Sequence, residues 1–140
     1  MEIKLTDRMK AWIKTVCFLN VADKKGVPHV TIARNIDSVS DDEVIFALSQ
    51  DEYSVIEEAL AENAWVSFGA GGVGSIRFCY QFKGKGTVEE KANLIHLKVK
   101  LVELYCTKPG CYAGMRLDTK SPEELAEWEE CLWKDMPKSR

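Results

Sequence analysis

The stretch LIHLKVKLVELY, Leu94 to Tyr105, alternates with a period of two. Ile95, Leu97, Val99 and Leu101 fall on one side, and His96, Lys98 and Lys100 fall on the other. Successive side chains take opposite faces only in an extended chain, so this run reads as a strand with one face in a core and the other wet or at an interface. Similar strands precede it. TVCFLNVADKKGVPHVTIARNI reads as two strands rich in β-branched residues around the turn DKKG, with Val27-Pro28 as an extended dipeptide after the turn. A second turn, DSVSDD, leads into the apolar strand EVIFALS. Short connections without crossover helices make this part of the sheet antiparallel. AWVSFGA and IRFCYQFKGKGTVEE are two further strands, joined through the glycine-rich GAGGVGS. That loop reads as a hairpin closure and not as a phosphate cradle, because it leads into a strand and so lacks the helix dipole such cradles use.

Three helices complete the pattern. Thr6 caps TDRMKAWIKT, which places Met9, Trp12, Ile13 and Val16 at helical spacing. YSVIEEALAEN carries Ser54 with Glu57 three residues on, a capping-box signature, and an apolar face of Val55, Ile56, Ala59 and Leu60. SPEELAEWEECLWKDM has Ser121 as cap, Pro122 at the first helical position, Glu124 three residues after the cap, and Leu125, Trp128, Leu132 and Met136 along one side. Six strands with short turns predict a small closed barrel, since closure removes exposed edges. The expected unit is one mainly β domain over residues 1–140, with a helix at about 6–16, the barrel at about 15–117 and a last helix at about 121–136.

Composition narrows the function classes. A formal charge of −3 gives no sign of a nucleic-acid binder, which should be basic, and 46% hydrophobic with 29% charged residues describes a soluble globular chain. No apolar run approaches the roughly 20 residues of a membrane span, and the N-terminus lacks an apolar leader core, so a cytoplasmic location is expected. The five cysteines, Cys17, Cys79, Cys106, Cys111 and Cys131, are scattered through apolar segments and read as reduced thiols. Cys106 and Cys111 flank a turn and can oxidise, but their spacing and the lack of clustered histidines suit no metal site. His29 and His96 have no neighbours in sequence that would form a nucleophile–base pair. Trp12, Trp128 and Trp133 read first as packing residues and second as aromatic cover for a shallow groove.

The order of these segments, with GVPHVTIAR, the helix ending LAEN, WVSF, YQFKGKG and the late KVKLVELYCTKPG, resembles the pyridoxamine 5'-phosphate oxidase-like FMN-binding split-barrel family, especially its small members. The resemblance covers roughly residues 10–117. It implies a six-stranded antiparallel Greek-key split β-barrel with flanking α-helices. It further implies a homodimer, with FMN in a groove between subunits. Carried over by position, Thr31, Ile32, Ala33 and Arg34 would line the flavin ring and ribityl chain. Ser49, Gln50 and Ser54 would lie near the phosphate, and Gln81 and Lys83 beside the ring or the mouth. The family's lysine at the entrance of the middle helix is absent here, so Arg34 or a group from a partner chain would have to supply the phosphate's countercharge. Two functions follow as expectations: a flavin-dependent oxidoreductase, whose redox partner and catalytic residues the sequence does not name, or a non-enzymatic binding or sensing module of the same fold that has lost the phosphate site.

Overall fold

The computed structural model describes residues 3–14, 16–71, 80–107 and 113–134. Helix α1 (Asp7–Ile13) begins at Thr6, whose hydroxyl accepts from the Met9 N–H at 3.2 Å, and it buries Met9 and Ile13. It stops three residues before the expected stripe's last member, since Val16 already opens β1 (Val16–Ala22). That strand pairs with β2 (Pro28–Ala33), placing Phe18 opposite Ile32 and Leu19 opposite Thr31. The DKKG turn is held by the Asp23 carboxylate, which accepts from the N–H groups of Lys25 and Val27 at 2.9 and 3.0 Å; Gly26 takes the left-handed φ of 85° that the turn needs. His29 joins the same carboxylate at 3.1 Å.

Beyond the hairpin the chain forms β3 (Ile36–Val39) and β4 (Glu43–Leu48), then two short helices, α2 (Gln50–Ser54) and α3 (Glu57–Glu62). Strands β5 (Trp65–Gly71), β6 (Tyr80–Lys91) and β7 (Leu94–Cys106) follow, and α4 (Pro122–Lys134) comes last. All pairings are antiparallel, in the order β2-β1-β5-β6-β7-β4-β3. The result is a curled seven-stranded sheet, a half-barrel, where six strands were expected. The added strand is β3, taken from sequence as part of the DSVSDD turn. It is four residues long, polar in the middle and at the sheet edge, and short polar edges are how sheets avoid pairing with other chains. Such a strand carries no alternating apolar signal. The glycine-rich run at residues 72–79 lies outside the described residues, although β5 and β6 on either side pair as the hairpin reading requires.

The concave side of the sheet holds the core. Phe68 meets Phe46 edge-on and Phe82 nearly parallel, each with ring centroids 5.1 Å apart. Tyr80 and Phe82 both point inward, while Gln81 and Lys83 face outward, as the alternation of YQFK requires. Helix α4 starts on Ser121, whose hydroxyl accepts from Glu124 N–H at 3.2 Å, and seats Leu125 and Trp128 on this core. The Tyr80 hydroxyl donates to the buried Glu129 carboxylate at 3.0 Å, which satisfies two polar groups that burial would otherwise penalise. Each fully buried large side chain here contributes about 1.5–3 kcal/mol. Among the described residues, no helix is long and apolar enough to cross a membrane.

The two glycines of KGKG have distinct jobs. The β6–β7 register shifts between Lys83 and Gly84, and a Cβ on Gly84 would stand 2.2 Å from the Lys100 carbonyl oxygen. Backbone therefore meets backbone at the bulge, where only glycine fits. A Cβ on Gly86 would instead press on Val66 and Leu97 side chains at 3.0 and 3.1 Å, so that glycine makes room for the core. Gly84→Ala is expected to destabilise the fold by about 3 kcal/mol or more, at the upper end of overpacking effects, because a carbonyl cannot move aside as a rotamer can. Gly86→Ala should lie nearer 1 kcal/mol. Urea denaturation of the two variants checks the order, and equal midpoints would refute it.

Candidate functional site

The site expected from sequence divides in two. One group lies where the edge strand β2 meets α2, around an open cleft of about 440 Å³ lined by Val30, Thr31, Ile32, Arg34, Asp51 and Glu52. Ile32 and Val30 project outward and are 44% and 49% exposed. Thr31 and Ala33 alternate with them and are buried, so Ala33 can offer only its backbone. The second group, Gln81 and Lys83, lies on the outer face of β6. Within one chain, β1 and β5 stand between it and β2, a separation of about 14 Å at the usual strand spacing. Lys83 borders a separate cleft of about 380 Å³ with Asn20, Trp65 and Glu103, and its ammonium lies 4.5 Å from the Tyr105 ring centroid.

The helix entrance differs from expectation. Ser54 is not a cap: it is exposed in the last turn of α2, and its hydroxyl donates to the Asp51 carbonyl at 2.8 Å. The capping box is formed one S-x-x-E earlier. Ser49 Oγ accepts from Glu52 N–H at 3.1 Å, and Glu52 Oε1 accepts from Ser49 N–H at 2.9 Å. The chain can turn into a helix directly at the end of β4, and Ile56, fully buried, anchors the break between α2 and α3. Gln50 is exposed at the first helical position.

Glu52, which the sequence reading left out, is the centre of this site. Its second oxygen, Oε2, accepts from Arg34 Nε at 2.9 Å, and its carbonyl accepts from the buried Thr31 hydroxyl at 2.8 Å. One residue thus ties α2 to β2 and the residue after it by two groups, its carbonyl and Oε2, and caps its own helix with the third. Its sequence signal was present in SQDE, which matches the capping box as well as SVIE does. Burial by itself would raise the Glu52 pKa, but the bonds from Ser49 N–H and Arg34 outweigh it and hold the carboxyl below its ordinary range. The ionised form is the stable one, so Arg34 is neutralised where it stands. The Arg34 side chain is 69% exposed, which keeps the energy of the pair modest.

The helical segment that carries Glu52 is acidic. Between Ser49 and Asn63 there are five carboxylates, at positions 51, 52, 57, 58 and 62, and no lysine or arginine. Of the described thiols, Cys17 is buried, its pKa pushed up to about 12 by desolvation, and Cys106 is buried as well; Cys79 and Cys111 lie outside the described residues. His96 sits elsewhere, on the outer face between Ala47 and Glu89, its Nδ1 buried without a partner among the described residues.

Stability should carry the mark of Glu52 and of Asp118. For Asp118 as well, burial raises the pKa while bonds from Arg116 and Leu104 N–H lower it further, to a net decrease. A lowered folded pKa means that stabilisation is complete above the unfolded value and is lost as pH falls through the folded one. Urea midpoints should therefore be flat above about pH 5 and drop below about pH 4. Glu52→Gln, which keeps the cap but removes the titrating group, should make the acid decline shallower. An unchanged decline would exclude Glu52 as a contributor.

No protein-family profile and no curated protein matches the chain. Solved structures do. HupZ of Group A Streptococcus superposes with a TM-score of 0.63 at 16% identity, over 79% of this chain and 99% of that one. A candidate pyridoxamine 5'-phosphate oxidase from Lactobacillus delbrueckii gives 0.61 at 16% identity, over 73% and 93%. A candidate flavin reductase with a split barrel domain from Shewanella frigidimarina gives 0.52 at 8% identity, over 75% and 76%. With its curled antiparallel sheet and its helices packed on the concave core, the chain has the split-barrel fold of these pyridoxamine 5'-phosphate oxidase-like and flavin reductase structures.

Proposed function

We propose that this chain is a flavin-binding protein that works as a homodimer, with the flavin lying in the β2–α2 cleft at the boundary between subunits. The observation that carries this reading is the state of β2. Among the described residues it is a sheet edge, bonded on one side only to β1, so alternate N–H and C=O groups point away from the ladder. A flat heterocycle with donors and acceptors along its rim can pair with such an edge while its face lies on Ile32 and Val30. The cleft's volume is within the range of small-molecule sites. The shared fold supports a flavin in particular, since structures described as flavin reductases are among those it resembles.

The dimer rests on the same face. Phe18 lies opposite Ile32 and Asn20 opposite Val30, and Phe18, Val30 and Ile32 are all exposed, which makes a continuous apolar patch on the outside of β1 and β2. A second copy covering that patch would shield it from water. It would also bring a second set of outer-face residues, Gln81 and Lys83 among them, to a shared groove.

Bound flavin would supply electron or hydride transfer, which makes an oxidoreductase the first functional class; FMN is the form that the family resemblance implies. The residues present suit its ring but not its phosphate. Arg34 is the cation that lines the cleft and is already paired with Glu52, and Asp51 adds a carboxylate with no ion pair among the described residues. The same observation favours the second reading, a binding or sensing module whose phosphate site is gone. Purified protein should quench the fluorescence of an added flavin and sediment as a dimer. Ile32→Asp, which places a charge on the cleft's apolar wall, should weaken flavin binding about tenfold or more while leaving the circular dichroism spectrum unchanged. A protein that ignores every flavin offered would end the reading.

A further inference from the structure

The mismatch at the phosphate end has a direction. Two donors stand at or beside this cleft: the Arg34 guanidinium just after β2, which lines it, and the Ser49 N–H at the helix entrance. Both bond one carboxylate, Glu52, at 2.9 Å each, the arginine through Nε, so its positive charge is balanced where it stands. Glu52 is 8% exposed and held from three sides, by Ser49, Arg34 and the Thr31 hydroxyl on its carbonyl. It cannot swing out without breaking the cap of α2 and the tie to β2. The protein thus carries its own anion at the helix entrance. A phosphate monoester brings roughly two more negative charges, and it would meet Glu52, the exposed Asp51 and an arginine already neutralised. No lysine or arginine lies between Ser49 and Asn63 to offset them.

We propose that the β2–α2 cleft selects flavins by their uncharged ring and ribityl chain and disfavours a terminal phosphate, so that riboflavin binds in preference to FMN. This rests on the flavin reading above. Glu52 is then a specificity residue as well as a cap: its carboxylate sets the cleft's charge balance, and the same bonds keep that carboxylate ionised.

The test is a fluorescence titration of the purified full chain with riboflavin and with FMN, at low and at high salt, for the wild type, Glu52→Gln and Arg34→Ala. The wild type should bind riboflavin about tenfold or more tightly than FMN at low salt, and the gap should narrow at high salt, because charge repulsion at an open cleft is screened. Glu52→Gln keeps a capping-box residue and frees Arg34, so it should close or reverse the gap by strengthening FMN. Arg34→Ala leaves Glu52 uncompensated and should widen it. If Glu52→Gln does not fold, the salt dependence of the wild type decides alone. FMN binding as tightly as riboflavin to the wild type would overturn the proposal while leaving the flavin reading intact. A gap that neither salt nor these substitutions alter would also overturn it. If wild type and Glu52→Gln both bind neither flavin, the flavin reading fails and the proposal with it.

Discussion

The approach of the β6 backbone to the β7 backbone at Gly84 is the constraint on which the rest of this structure turns. These two strands, 12 and 13 residues long, form the spine of the sheet. The outer half of the sheet hangs on β6 through β5, and β4 hangs on β7 through Glu43–Leu48 opposite Ile95–Lys100. With a register shift beside Gly84 and a side chain missing at Gly86, the spine can bend around Phe68, Phe82 and Leu97. A flat ladder would leave those residues half covered. Curvature is therefore what lets one sheet enclose a core against itself and three helical segments, α1, α3 and α4.

That curvature also decides where the two ends of the sheet go. Strand β2 ends up beside α2, although 15 residues separate Arg34 from Gln50 in the chain. The bonds that fasten them, from Thr31 and Arg34 to Glu52, are few and individually modest, and the ion pair is open to water on the arginine side. Their weight lies less in stability than in charge. They neutralise the cation that lines a cleft whose apolar wall is the pair Val30 and Ile32.

Much of the architecture was legible in local pattern. The period-two run from Leu94 to Tyr105 became β7 with Ile95, Leu97, Val99 and Leu101 buried, and Thr6 and Ser121 cap the helices they announce. Both kinds of signal are short-range, set by pleat and by unsatisfied helix N–H groups, so a single segment is enough to show them. Two readings went astray for physical reasons. β3 is made a strand by its partner β4 and not by its own composition, since Ser38 and Asp37 carry no apolar alternation. Ser49 and Ser54 each head an S-x-x-E, and the choice between them fell to the position of the β4 terminus and the burial of Ile56.

The sequence by itself determined that this is an antiparallel, mainly β chain, which segments are strands with a buried face, and that no lysine guards the entrance of the middle helix. Those are properties of nearest neighbours and of residue type. Only the tertiary structure decided that Arg34 faces Glu52, that Gln81 and Lys83 stand about three strands away from Ile32, and that the helix entrance is filled by a carboxylate. The reason is the same in each case. Charge balance and distance depend on which strands the curled sheet brings side by side, and that is settled by long-range packing around the core.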